Sequence, residues 1–158
     1  MEIDLINRSG DRRKGLIQET SKEELQLLKK WKFNWLDLYE SGENKVFQIF
    51  TNKIEGLIKI EFVIPDFFEM KNIEVSPTNY GADGMFVNVA KILISYGCLL
   101  SFELNKGPYK GYLSFVSKGR LIDYYIKEYN AELVFRERMI INPSNGLRLI
   151  KKHLNIEL

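Results

Sequence analysis

The sequence predicts an α+β fold on a mixed, mostly antiparallel sheet flanked by helices, and three observations predict it. Strand-like runs at 33–39, 46–51, 56–63 and 67–75 follow one another across plausible turns, which is the pattern of an antiparallel meander. The last run leads into a glycine-bearing turn, Tyr80-Gly81-Ala82-Asp83-Gly84, and then a long apolar helix pattern beginning at Met85. Beyond that helix, Gly111-Tyr112-Leu113-Ser114-Phe115-Val116 is apolar without clean alternation, as expected of a central strand covered on both faces. At 158 residues the chain is long enough to bury a core without metal or disulfide, so one domain spanning 1–158 is expected.

Taken in order, residues 1–6 read as a short strand. Arg8, Arg12, Arg13 and Lys14 then cluster beside Gly10 and Gly15 and read as a solvated loop. A net charge of +2 is too mild to imply a nucleic-acid partner. Ser21 or Thr20 with Glu24 or Glu23 three residues on makes a capping box, opening a helix to about Lys30 with Leu25, Leu28 and Trp31 on its apolar face. Trp31, Phe33 and Trp35 either wall an acceptor pocket or fill the core. Turns fall at Ser41-Gly42-Glu43-Asn44, Asn52-Lys53 and Pro65-Asp66, and the run 56–63 puts Ile58, Ile60 and Phe62 on one face with Lys59 and Glu61 on the other.

The apolar helix pattern runs from about 83 to 105, and its Asn88, Lys91 and Ser95 form a narrow polar stripe. That stripe suits a central buried helix better than a membrane span. A further helix at 118–129, a hairpin at 131–142 and an extra C-terminal helix complete the order. Pro143 is expected to stop the hairpin and Ser144 to cap the last helix, whose Leu147, Ile150 and Leu154 share a face. One Cys, Cys98, and one His, His153, assemble neither a thiol–imidazole pair nor a typical zinc site, so no metal is expected. The lone thiol and the charged start, Glu2 and Asp4, fit a cytoplasmic protein without a secretory leader.

The strand-to-helix junction at 73–85 suggests an anion site. The first amides of a helix lack internal partners and sit at the positive end of its dipole, and glycines let a phosphate come close. Asp83-Gly84 also reads as ordinary turn chemistry, and Asp83 can cap the helix with Gly84 just inside.

From about 46 to 142 the chain resembles the GNAT-type N-acetyltransferase superfamily. Val75-Ser76-Pro77 with Gly81 and Gly84 looks like its V-x-P and glycine-turn signature, Tyr124-Tyr125 like its aromatic–Tyr pair, and Arg138-Met139-Ile140-Ile141 like its closing strand. The family's turn is Q/R-x-x-G-x-G/A; in the register set by Gly81, Thr78 takes the basic or amide position and Asp83 stands where a small residue is expected. The resemblance implies an acyl-coenzyme A N-acyltransferase fold in which the strands at 67–75 and 111–116 run parallel and splay apart around the pantetheine arm. It implies acetyl-CoA as co-substrate, with Val75 supplying backbone bonds and Gly81, Ala82 and Gly84 supplying phosphate N–H groups. Lys118 is a further phosphate candidate or a solvated helix end. Tyr125 is then the proton donor, or one of three packed tyrosines with Tyr124 and Tyr129. Glu74 is the general base or a solvent-facing strand residue, while Glu69 shares the other face with Val75. The implied function is acetyl transfer to a primary amine of a small molecule or protein. A non-catalytic GNAT-like binding or interaction module is the second expectation, with neither membrane nor nucleic acid as partner.

Overall fold

β1 (Glu2–Ile6) pairs antiparallel with β2 (Arg12–Glu19), where the sequence suggested a solvated loop. The pairing brings Lys14 to 2.8 Å from Asp4 and Arg12 to 3.4 Å from the same carboxylate, so two of the four basic residues are partnered on their own hairpin. The computed structural model describes residues 1–40, 45–62 and 66–158. The turn at Ser41-Gly42-Glu43-Asn44, Val63 of the third strand-like run and Pro65 of the next turn lie outside the described residues.

The remaining elements are α1 (Lys22–Gln26), α2 (Trp35–Glu40), β3 (Lys45–Phe50), β4 (Ile54–Glu61), β5 (Phe68–Val75), a 3-10 turn (Pro77–Asn79), α3 (Val89–Glu103), β6 (Leu113–Val116), a second 3-10 turn (Gly119–Leu121), α4 (Ile122–Tyr129), β7 (Glu132–Phe135), β8 (Arg138–Ile141) and α5 (Pro143–Leu154). The eight strands form one sheet in the order β1-β2-β3-β4-β5-β6-β8-β7. β5 and β6 are parallel; β1 with β2, β2 with β3, β6 with β8 and β7 with β8 are antiparallel. The residues group into two compact units, Met1–Lys59 with Asn72–Leu93, and Ile60–Lys71 with Ile94–Leu158.

In the first unit, Ser21 caps α1 by accepting the Glu24 N–H at 3.3 Å, as the capping box requires, but the helix stops at Gln26 rather than near Lys30. The run 33–39 is helix α2, not a strand. Asn34 accepts the Asp37 N–H on its side chain and the Leu38 N–H on its carbonyl, which closes a first helical turn. The apolar positions of this segment then serve a 3.6 period, and Trp35 sinks into a core with Leu25, Val46, Ile54 and Leu57, against which Trp31 and Leu36 pack. β4 departs from simple alternation because both its faces are covered; Glu55 and Lys59 are buried along with Leu57 and Ile58.

The helix pattern expected from residue 83 or 85 begins only at Val89. Tertiary hydrogen bonds hold the preceding residues out of the helix. Met85 N–H donates to the Thr78 carbonyl, Phe86 N–H to Asn79 Oδ1, and Val87 N–H to the Ile6 carbonyl, with Asn7 and Phe86 forming a β-bridge. Asn88 fixes the junction further, accepting the Ile6 N–H and donating to the Asp4 carbonyl.

In the second unit, β6 is buried at Leu113, Ser114 and Phe115 and lies between β5 and β8 in the strand order, as its unbroken apolar character predicts. Asn142, not Ser144, caps α5, accepting the Asn145 N–H, and Pro143 occupies the first turn, where its missing N–H costs nothing. The buried face of α5 uses Leu149, Ile150 and Leu154, while Leu147 is exposed. Cys98 is fully buried, and desolvation pushes its thiol up to about 12, which makes it an inert apolar filler. Among the described residues, no helix is long and apolar enough to cross a membrane.

Candidate active site

The turn after β5 is built by a buried carboxylate that sequence reading passed over. Glu55 of β4 accepts Asn79 Nδ2 at 2.9 Å and Thr51 Oγ1 at 2.6 Å, and its carbonyl accepts the Ser76 N–H at 2.9 Å. Asn79 is itself buried and passes the connection on by accepting the Phe86 N–H. Neutral donors thus satisfy both oxygens of a carboxylate in the protein interior. Glu55 and Asn79 are 24 residues apart, so no local motif announces the pair.

Gly81 and Gly84 then play different parts. Gly81 has φ +78°, and a Cβ there would meet nothing within 4 Å, so this glycine leaves an open approach to the backbone. Gly84 is buried; a Cβ would run into the Asn79 carbonyl, and its N–H already donates to the Gly81 carbonyl. Its amide is therefore engaged in the turn, and its small size is a packing requirement. Ala82 and Asp83 are exposed, and Arg8 lies 3.4 Å from Asp83, offsetting the acid in the turn. The turn does not abut the helix, because residues 85–88 intervene before Val89.

Glu74, half-buried near the end of β5, holds a neighbouring segment. Its Oε2 accepts the Lys32 N–H at 2.6 Å, and its Oε1 accepts the Phe33 N–H at 3.1 Å and Trp35 Nε1 at 2.9 Å. Three of about four lone-pair directions of a carboxylate are thereby used. Phe33 stands edge-on to Trp35 at 6.0 Å, and Lys32 Nζ lies 4.5 Å over the Tyr80 ring and donates to its hydroxyl. Trp35 belongs to the core, whereas Phe33 and Tyr80 are exposed. Both tryptophans of the chain, Trp31 and Trp35, lie in or beside this segment. Glu74→Ala should therefore raise acrylamide quenching of the tryptophan fluorescence about twofold or more and cost roughly 1–3 kcal/mol, because a part-buried indole donor loses its partner. Unchanged quenching would show that the segment holds its place without Glu74.

In the second unit, α4 carries a tyrosine cluster. Tyr125 is half-buried, with its ring 4.7 Å from Phe115 and 5.8 Å from Tyr129, while Tyr124 is exposed and edge-on to Tyr125. Burial first, and Tyr124 second, raise the Tyr125 phenol above its ordinary pKa. Tyr129 is almost wholly buried, its hydroxyl has no hydrogen-bond partner among the described residues, and desolvation raises its pKa strongly. Lys118 is exposed in extended backbone before the 3-10 turn, rather than opening the helix itself. Glu69 accepts from Arg138 at 3.0 Å, an ion pair between β5 and β8.

No protein-family model and no curated protein matches the sequence. Solved structures do. A point mutant of the AtaT toxin, bound to the C-terminus of the antitoxin AtaR and acetyl-CoA, gives a TM-score of 0.61 at 8% identity, covering 87% of this chain and 98% of its own. The spermidine/spermine N-acetyltransferase SpeG from Vibrio cholerae gives 0.57 at 14% identity over 85% of this chain and 98% of its own. The Campylobacter jejuni N-acetyltransferase PseH, in complex with acetyl coenzyme A, gives 0.53 at 17% identity over 80% and 96%. The mixed eight-stranded sheet with its flanking helices is thus the GNAT-type acetyltransferase fold.

Proposed function

We propose that this chain is an acyl-coenzyme A-dependent N-acyltransferase that moves an acetyl group from acetyl-CoA to a primary amine of a small molecule or protein, in the cytoplasm. One observation carries the reading: among the described residues, the parallel pairing of β5 with β6 ends at Glu69↔Ser114, well short of Val75. The backbone groups of β5 that face the β6 side from there to Val75 are then available to pantetheine amides by strand addition. The open space over Gly81 fits a phosphate approaching the backbone, with Ala82 beside it; Lys118 is assigned to the cofactor by the family resemblance alone. Gly84 serves by keeping the turn closed.

When bound, acetyl-CoA supplies an electrophilic acyl carbon and a thiolate leaving group. The amine nitrogen forms the new C–N bond as the C–S bond breaks, its surplus proton leaves to Glu74 through the remaining carboxylate lone pair or to water, and Tyr125 gives its phenolic proton to the departing sulfur. Tyr125 recovers a proton from solvent. A phenol carries its proton at neutral pH, and burial keeps it so in Tyr125.

Saturating acetyl-CoA should raise the melting temperature, with about 2.7 kcal/mol of stabilisation at a hundredfold excess over the Kd. Calorimetry checks it. Neither heat nor a melting shift with millimolar acetyl-CoA would replace this reading with the second one, a non-catalytic GNAT-like ligand-binding or protein-interaction module. A specific observation favours that alternative: the glycine turn carries Asp83 and stands apart from the start of α3.

A further inference from the structure

We propose that Lys53 is a phosphate-binding residue, supplying from the β3–β4 turn the positive charge that the segment 76–84 lacks; this rests on the coenzyme A reading above. Residues 76–84 contain no Lys or Arg, and Thr78 stands where the turn signature carries a basic or amide side chain. Lys53 Nζ donates to the hydroxyl of that same Thr78. The ammonium is thus held at the position the missing side chain would serve.

The placement is braced rather than incidental. Thr51, two residues before Lys53, donates to the buried Glu55, which also receives Asn79, one residue after Thr78. Thr78 N–H and hydroxyl both lie against Ser76 Oγ, and the Ser76 N–H returns to the Glu55 carbonyl. The turn bearing Lys53 and the segment bearing Thr78 are therefore locked to each other through one carboxylate.

Charge points the same way. Lys53 ion-pairs with no carboxylate among the described residues, so its charge is not already committed to one. An ammonium has three donors and one is committed to Thr78, which leaves two for phosphate oxygens. Arg8 offsets the acid at Asp83, and both oxygens of Glu55 are already taken by Thr51 and Asn79. The ligand chemistry is a diphosphate or phosphate monoester, both of which coenzyme A carries.

The test is calorimetry on the full chain with coenzyme A, and separately with inorganic pyrophosphate, for wild type, Lys53→Gln and Lys53→Arg. Lys53 lies in a half-exposed turn, and thermal melts verify that the variants fold. Lys53→Gln should weaken coenzyme A about tenfold or more, and Lys53→Arg should stay within a few-fold of wild type. Equal coenzyme A affinity in wild type and Lys53→Gln overturns the proposal and leaves the acyltransferase reading in place. If wild type ignores coenzyme A but binds pyrophosphate, and Lys53→Gln loses it, the anion site stands and the coenzyme reading falls. Binding of neither probe by wild type ends both.

Discussion

Tyr125→Phe should lower kcat by about 10²- to 10⁴-fold while leaving the acetyl-CoA Kd unchanged, because the change deletes a proton donor and keeps the ring. The ring packs on Phe115 and Tyr129, so the fold should tolerate the substitution. Tyr124→Phe is the internal control. Adjacent helix positions point about 100° apart, and Tyr124 is exposed where Tyr125 is half-buried, so loss of its hydroxyl should leave turnover near wild type. The measurement is free-thiol release from acetyl-CoA with a panel of primary amines. Equal turnover in wild type and Tyr125→Phe would remove Tyr125 from the chemistry and leave water or the substrate amine to protonate sulfur.

Two glycines of one turn should separate folding from binding. Gly84→Ala drives a Cβ into the Asn79 backbone, whose carbonyl carbon would lie 2.7 Å away, and a backbone neighbour cannot swing aside as a side-chain tip can. A loss of about 1–3 kcal/mol is expected, read as a fall in Tm of several degrees. Gly81→Val meets open space, so its cost is the strain of a β-branched residue at φ +78°, and the protein should remain folded. Its side chain would nonetheless stand in the approach to the turn, so acetyl-CoA binding should be lost. Unaltered affinity in a folded Gly81→Val protein would place the phosphates elsewhere.

Local patterns in the sequence were enough for the α+β class, the central position of β6, the hairpin at β7 and β8, and the late helix with its tyrosines, because each is written in residues close together in the chain, whereas the parallel direction of β6 came only from the family resemblance. The capping box at Ser21 and Glu24 is such a case, and so is the unbroken apolar run of β6. The strand reading of 33–39 followed the alternating aromatics Phe33 and Trp35, whereas the cap of Asn34 on Asp37 and the burial of Trp35 against Leu25 and Val46 make it α2. Where α3 starts was beyond local patterns altogether. Residues 85–87 suit a helix by composition, yet Phe86 is drawn into a β-bridge with Asn7 and Val87 bonds back to Ile6, a pairing across the fold that holds them in non-helical backbone whatever their propensity. The same holds for the candidate site. Gly81 and Tyr125 were visible as motif residues, whereas the anchoring of the 32–35 segment by Glu74, the brace from Glu55 to Asn79 and the seat of Lys53 on Thr78 join residues dozens of positions apart, and folding alone brings such donors and acceptors together.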